Sequence, residues 1–318
     1  MDESSDWDHI GPTWKRHSEQ AAGQHWPQGC LYVVATPIGN LADLSLRAWQ
    51  ALRLCDAVAA EDTRTTRALL DAWGIQTPLL AAHRHNEQQA ADAIVQRLAE
   101  GQRVALVSDA GAPAVSDPGA RVVRCVQAAG YRVVPLPGPS AVITALMASG
   151  ATSDEAPGFA FAGFAPSKAG ARRKWLEQWL AGSVPVVMFE APHRLAATLS
   201  DLAVMAGPGR RLTLARELTK RFEEICTLPA AEMPQWLQED AHRGQGEFVL
   251  VVHAPALRSD AGESLSAEHL RLMRALVAEL SVRDAVRIGA QATGLPRDGL
   301  YAWALAQQKG VQVDGDPV

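Results

Sequence analysis

Five short apolar runs, separated by helix-length stretches between residues 31 and 136, constrain this chain more than any other feature. Leu31-Tyr32-Val33-Val34-Ala35, Ala57-Val58-Ala59-Ala60, Leu79-Leu80-Ala81, Arg103-Val104-Ala105-Leu106-Val107 and Arg132-Val133-Val134-Pro135-Leu136 read as buried strands. Helices are predicted between them: over 44–54, from 63 to a stop at Gly74, over 87–100 ahead of Gly101, and opening at Ser116-Asp117-Pro118. Thr63 offers a hydroxyl for an N-cap. Strands and helices in strict alternation predict an α/β domain over 30–137, its mainly parallel sheet covered on both faces.

The second half has a different rhythm. A helix over 140–149, ended by Gly150, opens a second α/β domain over 138–255. Strands are predicted over 159–161, 184–189, 211–215, 222–227 and 248–252, with helices over 171–180 and 193–205. The two strand signals within 211–227 have no helix between them, which predicts a mixed sheet with antiparallel pairs. Residues 256–265 read as a linker, and 266–318 as a helical, helix-turn-helix-like appendage with helices over 267–280, 282–293 and 297–308. Residues 1–29 mix Trp, His, Gln and acids without periodicity and read as a poorly ordered tail.

Composition excludes several classes. A hydrophobic fraction of 47% and a charged fraction of 20% describe an ordinary globular chain. Its apolar runs are broken by Pro, Gly or charge, so no membrane-spanning helix is expected. The opening Met1-Asp2-Glu3-Ser4-Ser5-Asp6 lacks the basic-then-apolar order of a secretion signal, and a cytoplasmic location is expected. Cys30, Cys55, Cys125 and Cys226 lie far apart with no C-x-x-C pair, so neither a disulfide scaffold nor a metal site is predicted. A net charge of −5 argues against holding nucleic acid by bulk charge. Local basic patches remain, at His83-Arg84-His85, Arg172-Arg173-Lys174, Arg210-Arg211 and Lys220-Arg221.

Ligands of open α/β sheets bind beyond the carboxyl ends of the strands. Three loops there are rich in Gly, Pro and small residues: Thr36-Pro37-Ile38-Gly39-Asn40-Leu41, Ser108-Asp109-Ala110-Gly111-Ala112-Pro113, and Pro137-Gly138-Pro139-Ser140-Ala141. Each alone reads equally well as a tight turn. Three at successive strand ends predict a small-molecule cleft, where absent or locked side chains let a ligand lie against backbone N–H groups. No G-x-G-x-x-G follows the first strand and no Walker lysine loop is present, which disfavours NAD and ATP.

These loops, together with Ala60-Glu61-Asp62-Thr63-Arg64, His85-Asn86-Glu87, Ser116-Asp117-Pro118-Gly119, Glu190-Ala191-Pro192-His193-Arg194 and Ala215-Arg216-Glu217-Leu218-Thr219-Lys220, resemble the ribosomal small-subunit methyltransferase I family. That family lies within the tetrapyrrole-methylase-like, class III methyltransferases, and the resemblance runs in order over about residues 31–308. It implies two α/β domains with S-adenosylmethionine in the cleft between them. The implied reaction is 2′-O-methylation of a decoding-centre cytidine, position 1402 of the 16S rRNA, by a homodimer acting on small-subunit rRNA or the 30S subunit. Cofactor contacts implied by the resemblance fall at Pro37, Asp109, Ala110, Gly111, Pro113, Pro139, Ser140, Ala191 and Ala215. The sequence departs from the family pattern at Ala112, where Thr is usual, at Phe189, where Tyr is common, and at Gln245, where Lys often stands. Alternative readings are a tetrapyrrole C-methyltransferase on the same fold and a non-catalytic ribosome-binding module.

A ribose hydroxyl is a weak nucleophile, so a base or a polarising cation is expected near the acceptor, with Lys220, Glu217 and Glu61 as candidates. Arg64, His85, Arg194 and Lys220 are expected on the RNA side of the cleft, although Glu190 and Arg194, taken alone, read rather as an ion pair. Arg283, Arg287 and Arg297 make the C-terminal helix pair either a further RNA contact or a packing element.

Overall fold

A computed structural model describes residues 4–207, 209–255 and 267–308. The chain divides into two compact units, Met1–Pro255 and Ala256–Val318. The first begins with helix α1 (Ser4–Ala22), not with the irregular tail expected over 1–29. Most described residues of α1 are exposed, which is why no apolar stripe marks it in the sequence. Its end is anchored: Ala21 is buried, and its carbonyl accepts a hydrogen bond from buried Trp26 Nε1. The Trp26 carbonyl in turn accepts from the Arg103 guanidinium.

The first lobe contains β1 (Cys30–Val34), α2 (Leu46–Leu54), β2 (Ala57–Ala60), α3 (Thr63–Ala72), β3 (Leu79–Ala81), α4 (Glu87–Ala99), β4 (Val104–Val107), α5 (Ala120–Ala128) and β5 (Arg132–Leu136). The strands pair in parallel in the order β3-β2-β4-β1-β5. Alternate side chains serve two cores. Tyr32, Val34, Val58 and Val107 pack with Leu52 and Leu70 on one face, and Leu31, Ala59 and Leu106 with Ile94, Leu98 and Val126 on the other. Burial on both faces is what makes β2 and β4 continuous apolar runs.

Two helix starts differ from expectation. The N-cap of α3 is Asp62, whose carboxylate accepts from Arg64 N–H, and Thr63 is the first helical residue. Ser116-Asp117-Pro118 does not open α5: Ala114 and Ser116 have φ of +67° and +70°, Gly119 has +127°, and the helix begins at Ala120.

The second lobe contains α6 (Ala141–Ser149), β6 (Ala160–Phe164), α7 (Ala169–Leu180), β7 (Val186–Glu190), α8 (Pro192–Met205), β8 (Arg211–Arg216), β9 (Glu224–Pro229), α9 (Met233–Gln238) and β10 (Phe248–Val252). The sheet order is β6-β7-β10-β8-β9, with β6 and β7 parallel and the other pairs antiparallel. One core, on the α7/α8 side, includes Leu176, Met188, Leu199, Leu214 and Leu250. The other, on the α6 side, includes Val142, Val187, Ala215, Val249 and Val251. Helix α9 was not anticipated; buried Met233 and Trp236 hold its short span.

Residues 256–266, which include the expected linker, lie outside the described residues. The described residues of the second unit form three helices: α10 (Ala267–Glu279), α11 (Val282–Thr293) and α12 (Arg297–Gln308). Met273, Val286, Leu300 and Ala304 form its core. Ser281 caps α11, and Gly294, with φ of +72°, ends it ahead of Pro296.

Candidate functional site

The three small-residue loops meet. Thr36 N–H donates to the Gly111 carbonyl (2.9 Å) and Gly111 N–H donates to the Thr36 carbonyl (3.0 Å), which fixes the loop after β1 to the loop after β4. Gly138 joins them from the end of β5; a Cβ there would stand 3.0 Å from Ala35 Cβ. Gly111 itself has φ of +79°, a conformation that side chains disfavour.

Above these loops lies a cavity of about 370 Å³ lined by both lobes. That volume suits a small molecule, for which sites of about 300–1,000 Å³ are typical. Ala110, Gly111 and Ala112 form one wall; Ser140 and Ala141, at the start of α6, and Ala191 and Pro192, at the start of α8, form others. Val115, Phe164 and Phe189 supply apolar surface, while Asp117, Glu190 and Glu247 bring carboxylates.

Of the expected cofactor contacts, Ala110, Gly111, Ser140 and Ala191 therefore line the cavity. Pro37, Asp109, Pro113 and Pro139 sit in the same loops without being among its lining residues. Ala215 is fully buried among Ile38, Leu218 and Val249, all of which line the cavity, so it supports the wall from behind. Asp109 is occupied by a structural bond: its carboxylate accepts from Asp62 N–H at 3.0 Å and ties the ends of β2 and β4 together. Sequence reasoning missed Val115, Phe164 and Glu247.

The carboxyls of Glu61 and Asp117 are both perturbed at this end of the first sheet. Burial pushes the Glu61 carboxyl above its ordinary range, and Asp109 and Asp117 push it further. Asp117 is raised by burial and by Asp109, against the lowering effect of its bond with Ser108.

Lys220 is held on the opposite side. Its Nζ lies 2.9 Å from Glu217 Oε1 and 2.7 Å from Glu247 Oε2. Burial alone would lower its pKa, but the bonds to Glu247 and Glu217 outweigh this and raise it. Both bonds favour the charged form of Lys220. The loop that carries it is strained, with Glu217 and Thr219 at φ of +50° and +66°. Glu217 secures the strain: its N–H donates to the Glu247 carbonyl, and its carboxylate accepts from Glu247 N–H.

The expected RNA-facing residues separate into two kinds. Arg64 is exposed and tethered to Asp62, and His85 is exposed beside His83. Arg194 is different. Its guanidinium is largely buried, pairs with buried Glu190 at 2.9 Å and donates to the Ala165 carbonyl at 3.1 Å. Those bonds make it the ion-pair partner that its spacing from Glu190 suggested and an internal clamp between β7 and the end of β6.

Comparison with known proteins fits this geometry. The family described as Tetrapyrrole (Corrin/Porphyrin) Methylases matches residues 30–234, and the RsmI C-terminal HTH domain matches residues 263–308. The ribosomal RNA small subunit methyltransferase I of Neisseria meningitidis serogroup B is 48% identical over 87% of this chain and 94% of its own length. The chain belongs to the ribosomal RNA small subunit methyltransferase I family. The family's protein from Escherichia coli O157:H7 is 46% identical over 88% of this chain and 96% of its own. Membership makes this chain a methyltransferase.

Two solved structures share the fold. The methyltransferase CobJ has a TM-score of 0.53 at 20% identity, covering 72% of this chain and 95% of that one. A uroporphyrin-III-C-methyltransferase from Thermus thermophilus has a TM-score of 0.50 at 19% identity, covering 71% and 94%. At such identities the likeness concerns architecture.

Proposed function

We propose that this chain transfers the methyl group of S-adenosylmethionine to the ribose 2′-hydroxyl of a decoding-centre cytidine in small-subunit rRNA. The observation that carries this reading is the cavity where Ala110–Ala112, Ser140 and Ala191 converge, in a chain whose relatives at 40–48% identity bear the name ribosomal RNA small subunit methyltransferase I.

The residues present suit such a donor. Gly111 presents backbone rather than a side chain of its own to the cavity, and α6 and α8 both begin at the wall. Asp117 sets a carboxylate suited to a sulfonium in the cavity wall, whereas the charge of Glu247 is matched by Lys220. When bound, S-adenosylmethionine supplies an already activated methyl group. The chain's own task is then alignment, and orientation of two reactants contributes up to about 7–11 kcal/mol of barrier reduction.

The RNA must enter splayed or single-stranded for a ribose to reach this depth. Arg64 and His85 supply exposed positive and hydrogen-bonding groups for its backbone. Lys220, fixed as a cation, is suited to polarising the acceptor oxygen. Glu217 is already committed to Lys220 and Glu247 N–H. Glu61 is therefore the better candidate for taking up the hydroxyl proton, since burial and the carboxylates of Asp109 and Asp117 raise its pKa and with it its basicity. The same reading includes a cytoplasmic location and a homodimer, the exposed apolar Ile143 and Met147 on α6 favouring the dimer.

Mass mapping of small-subunit rRNA from cells lacking the protein tests the assignment. The expected result is loss of one ribose methyl at a cytidine, restored by the purified protein with S-adenosylmethionine. An unchanged methylation map would overturn it.

A further inference from the structure

Strand β6 contains a deliberate irregularity. Phe161 pairs with Val187, but Phe164 pairs with Phe189, so three residues of β6 advance against two of β7. This is a β-bulge, and it reverses which way the strand's end faces. Phe161 packs on the α6 side with Val187 and Phe189, whereas Ala162 packs on the α7/α8 side. Strict alternation would send residue 164 to the α7/α8 side with Ala162. The extra residue instead returns Phe164 to the cavity side, where it meets the ring of Phe189 edge-on at 5.4 Å.

Several features hold it there. Gly163 takes φ of +71°, and a Cβ on it would sit 3.7 Å from Ser116 Oγ, so the bulge lies against the loop of the first lobe. The next residue, Ala165, is held through its carbonyl by Arg194, which is itself paired with buried Glu190. Despite this support the Phe164 ring is 53% exposed, and Val115, also lining the cavity, is 42% exposed. A fold that spends a bulge, a left-handed glycine and a buried ion pair on one ring, and then leaves that ring half open, has presented a flat apolar face to a ligand.

We infer that Phe164 is the ledge on which the nucleobase of the acceptor nucleotide stacks, a specificity-determining contact that rests on the rRNA methyltransferase reading above. A ribose can enter the cavity only if its base leaves the RNA stack, and an unstacked base is stabilised on an aromatic face. The donor's adenine has the same planar chemistry, so the test must separate the two.

The measurement is steady-state methylation of small-subunit particles by Phe164→Ala, Phe164→Leu and Phe164→Trp, with calorimetric affinity for S-adenosylmethionine determined for each. Phe164→Ala is expected to lower kcat/KM for RNA by about 5- to 150-fold, mainly through KM, the range of a lost base–aromatic stack. Phe164→Leu keeps apolar bulk without a π face and is expected to resemble Phe164→Ala. Phe164→Trp is expected to restore activity, with donor affinity within about threefold throughout. Full activity of Phe164→Leu, or a fall in donor affinity equal to the loss of activity, would overturn the inference. A wild-type protein that methylates no rRNA would sink the functional reading as well, whereas an active wild type with an unchanged Phe164→Ala would sink the ledge alone.

Discussion

Gly39 lies directly against the side chain of Lys220: a Cβ at position 39 would stand 2.5 Å from Lys220 Cγ and 3.0 Å from its Cε. The glycine is required by this close approach, since its φ is not in the left-handed region. Gly39→Ala should therefore displace the ammonium from the position set by Glu217 and Glu247. Misplacement of a reacting or positioning group by about 1 Å costs on the order of 10²-fold in rate. We expect that loss in kcat, with donor affinity nearly unchanged, measured by methylation of 30S particles and by calorimetry. Wild-type turnover in Gly39→Ala would show that the position of Lys220 is immaterial.

The charge state of Lys220 makes a second expectation, on pH. Its folded pKa is raised, so its contribution to stability is present below the ordinary lysine value and is lost as pH rises through the folded value. Glu217 is lowered: burial opposes this, but bonds from Lys220 and Glu247 N–H prevail, so its contribution is present above the ordinary glutamate range and lost as pH falls through the folded value. Between those limits both stay charged. The pH profile of kcat should thus show no ionisation of Lys220 from about pH 6 to 9, and any limb at its acidic side should follow the raised carboxyls of Glu61 and Asp117. Lys220→Met should lower kcat by about 10²–10³-fold, the range of a lost electrostatic stabiliser. A rising alkaline limb that vanishes in Lys220→Met would instead identify the lysine as the base.

Arg64 and Arg194 should part company on mutation. Arg64 has an exposed side chain, so Arg64→Ala should weaken RNA binding, spare the donor, and reduce the salt dependence of RNA affinity by about one phosphate contact. Arg194→Ala should leave that slope alone and lower thermal stability, because buried Glu190 loses its ionic partner. Filter binding across a salt series, beside thermal melts, distinguishes them. Equal slopes for wild type and Arg64→Ala would remove Arg64 from the RNA surface.

Much of the frame was legible because burial and periodicity coincide. The strands over 57–60, 79–81, 132–136 and 248–252 are found where their apolar runs lie, and the helices over 282–293 and 297–308 where Ser281, Gly294 and Pro296 punctuate them. What escaped was set by long-range geometry. Phe164 lay beyond the expected end of its strand because a bulge, which no periodicity announces, carries the pairing on. Glu247 escaped because nothing at the start of its strand shows that the loop at Glu217 brings Lys220 to it. The Arg194–Glu190 ion pair was legible in their four-residue spacing, but that spacing says nothing of how deeply the carboxylate is buried. Helix α1 escaped because its described face is mostly exposed and so carries no apolar stripe.

The second lobe's stability should depend on one buried carboxylate. Asp201 on α8 accepts from Arg172 Nε and Nη2, each at 2.7 Å, and from Arg173 Nε at 2.8 Å. The Arg172 and Asp201 side chains are each only 6% exposed, so water cannot replace a missing partner. Burial opposes ionisation of Asp201, but the bonds from both arginines prevail and lower its pKa. Its stabilisation is therefore present above the ordinary aspartate value and lost as pH falls through the folded one. Removing one partner of a buried pair costs about 3–5 kcal/mol, chiefly because the remaining charge is stranded. Asp201→Ala should accordingly lower Tm by roughly 6–20 °C at neutral pH, at about 2–4 °C per kcal/mol for a unit of this size. The deficit relative to wild type should shrink as pH falls and the wild-type carboxylate is itself protonated. Replacing Arg172, Arg173 and Asp201 together by apolar residues of similar volume should recover much of the loss, since no charge then remains buried and unpaired. Melting curves of the single and triple variants across the acidic range check this, and a single variant as stable as wild type would show that the network is solvated after all.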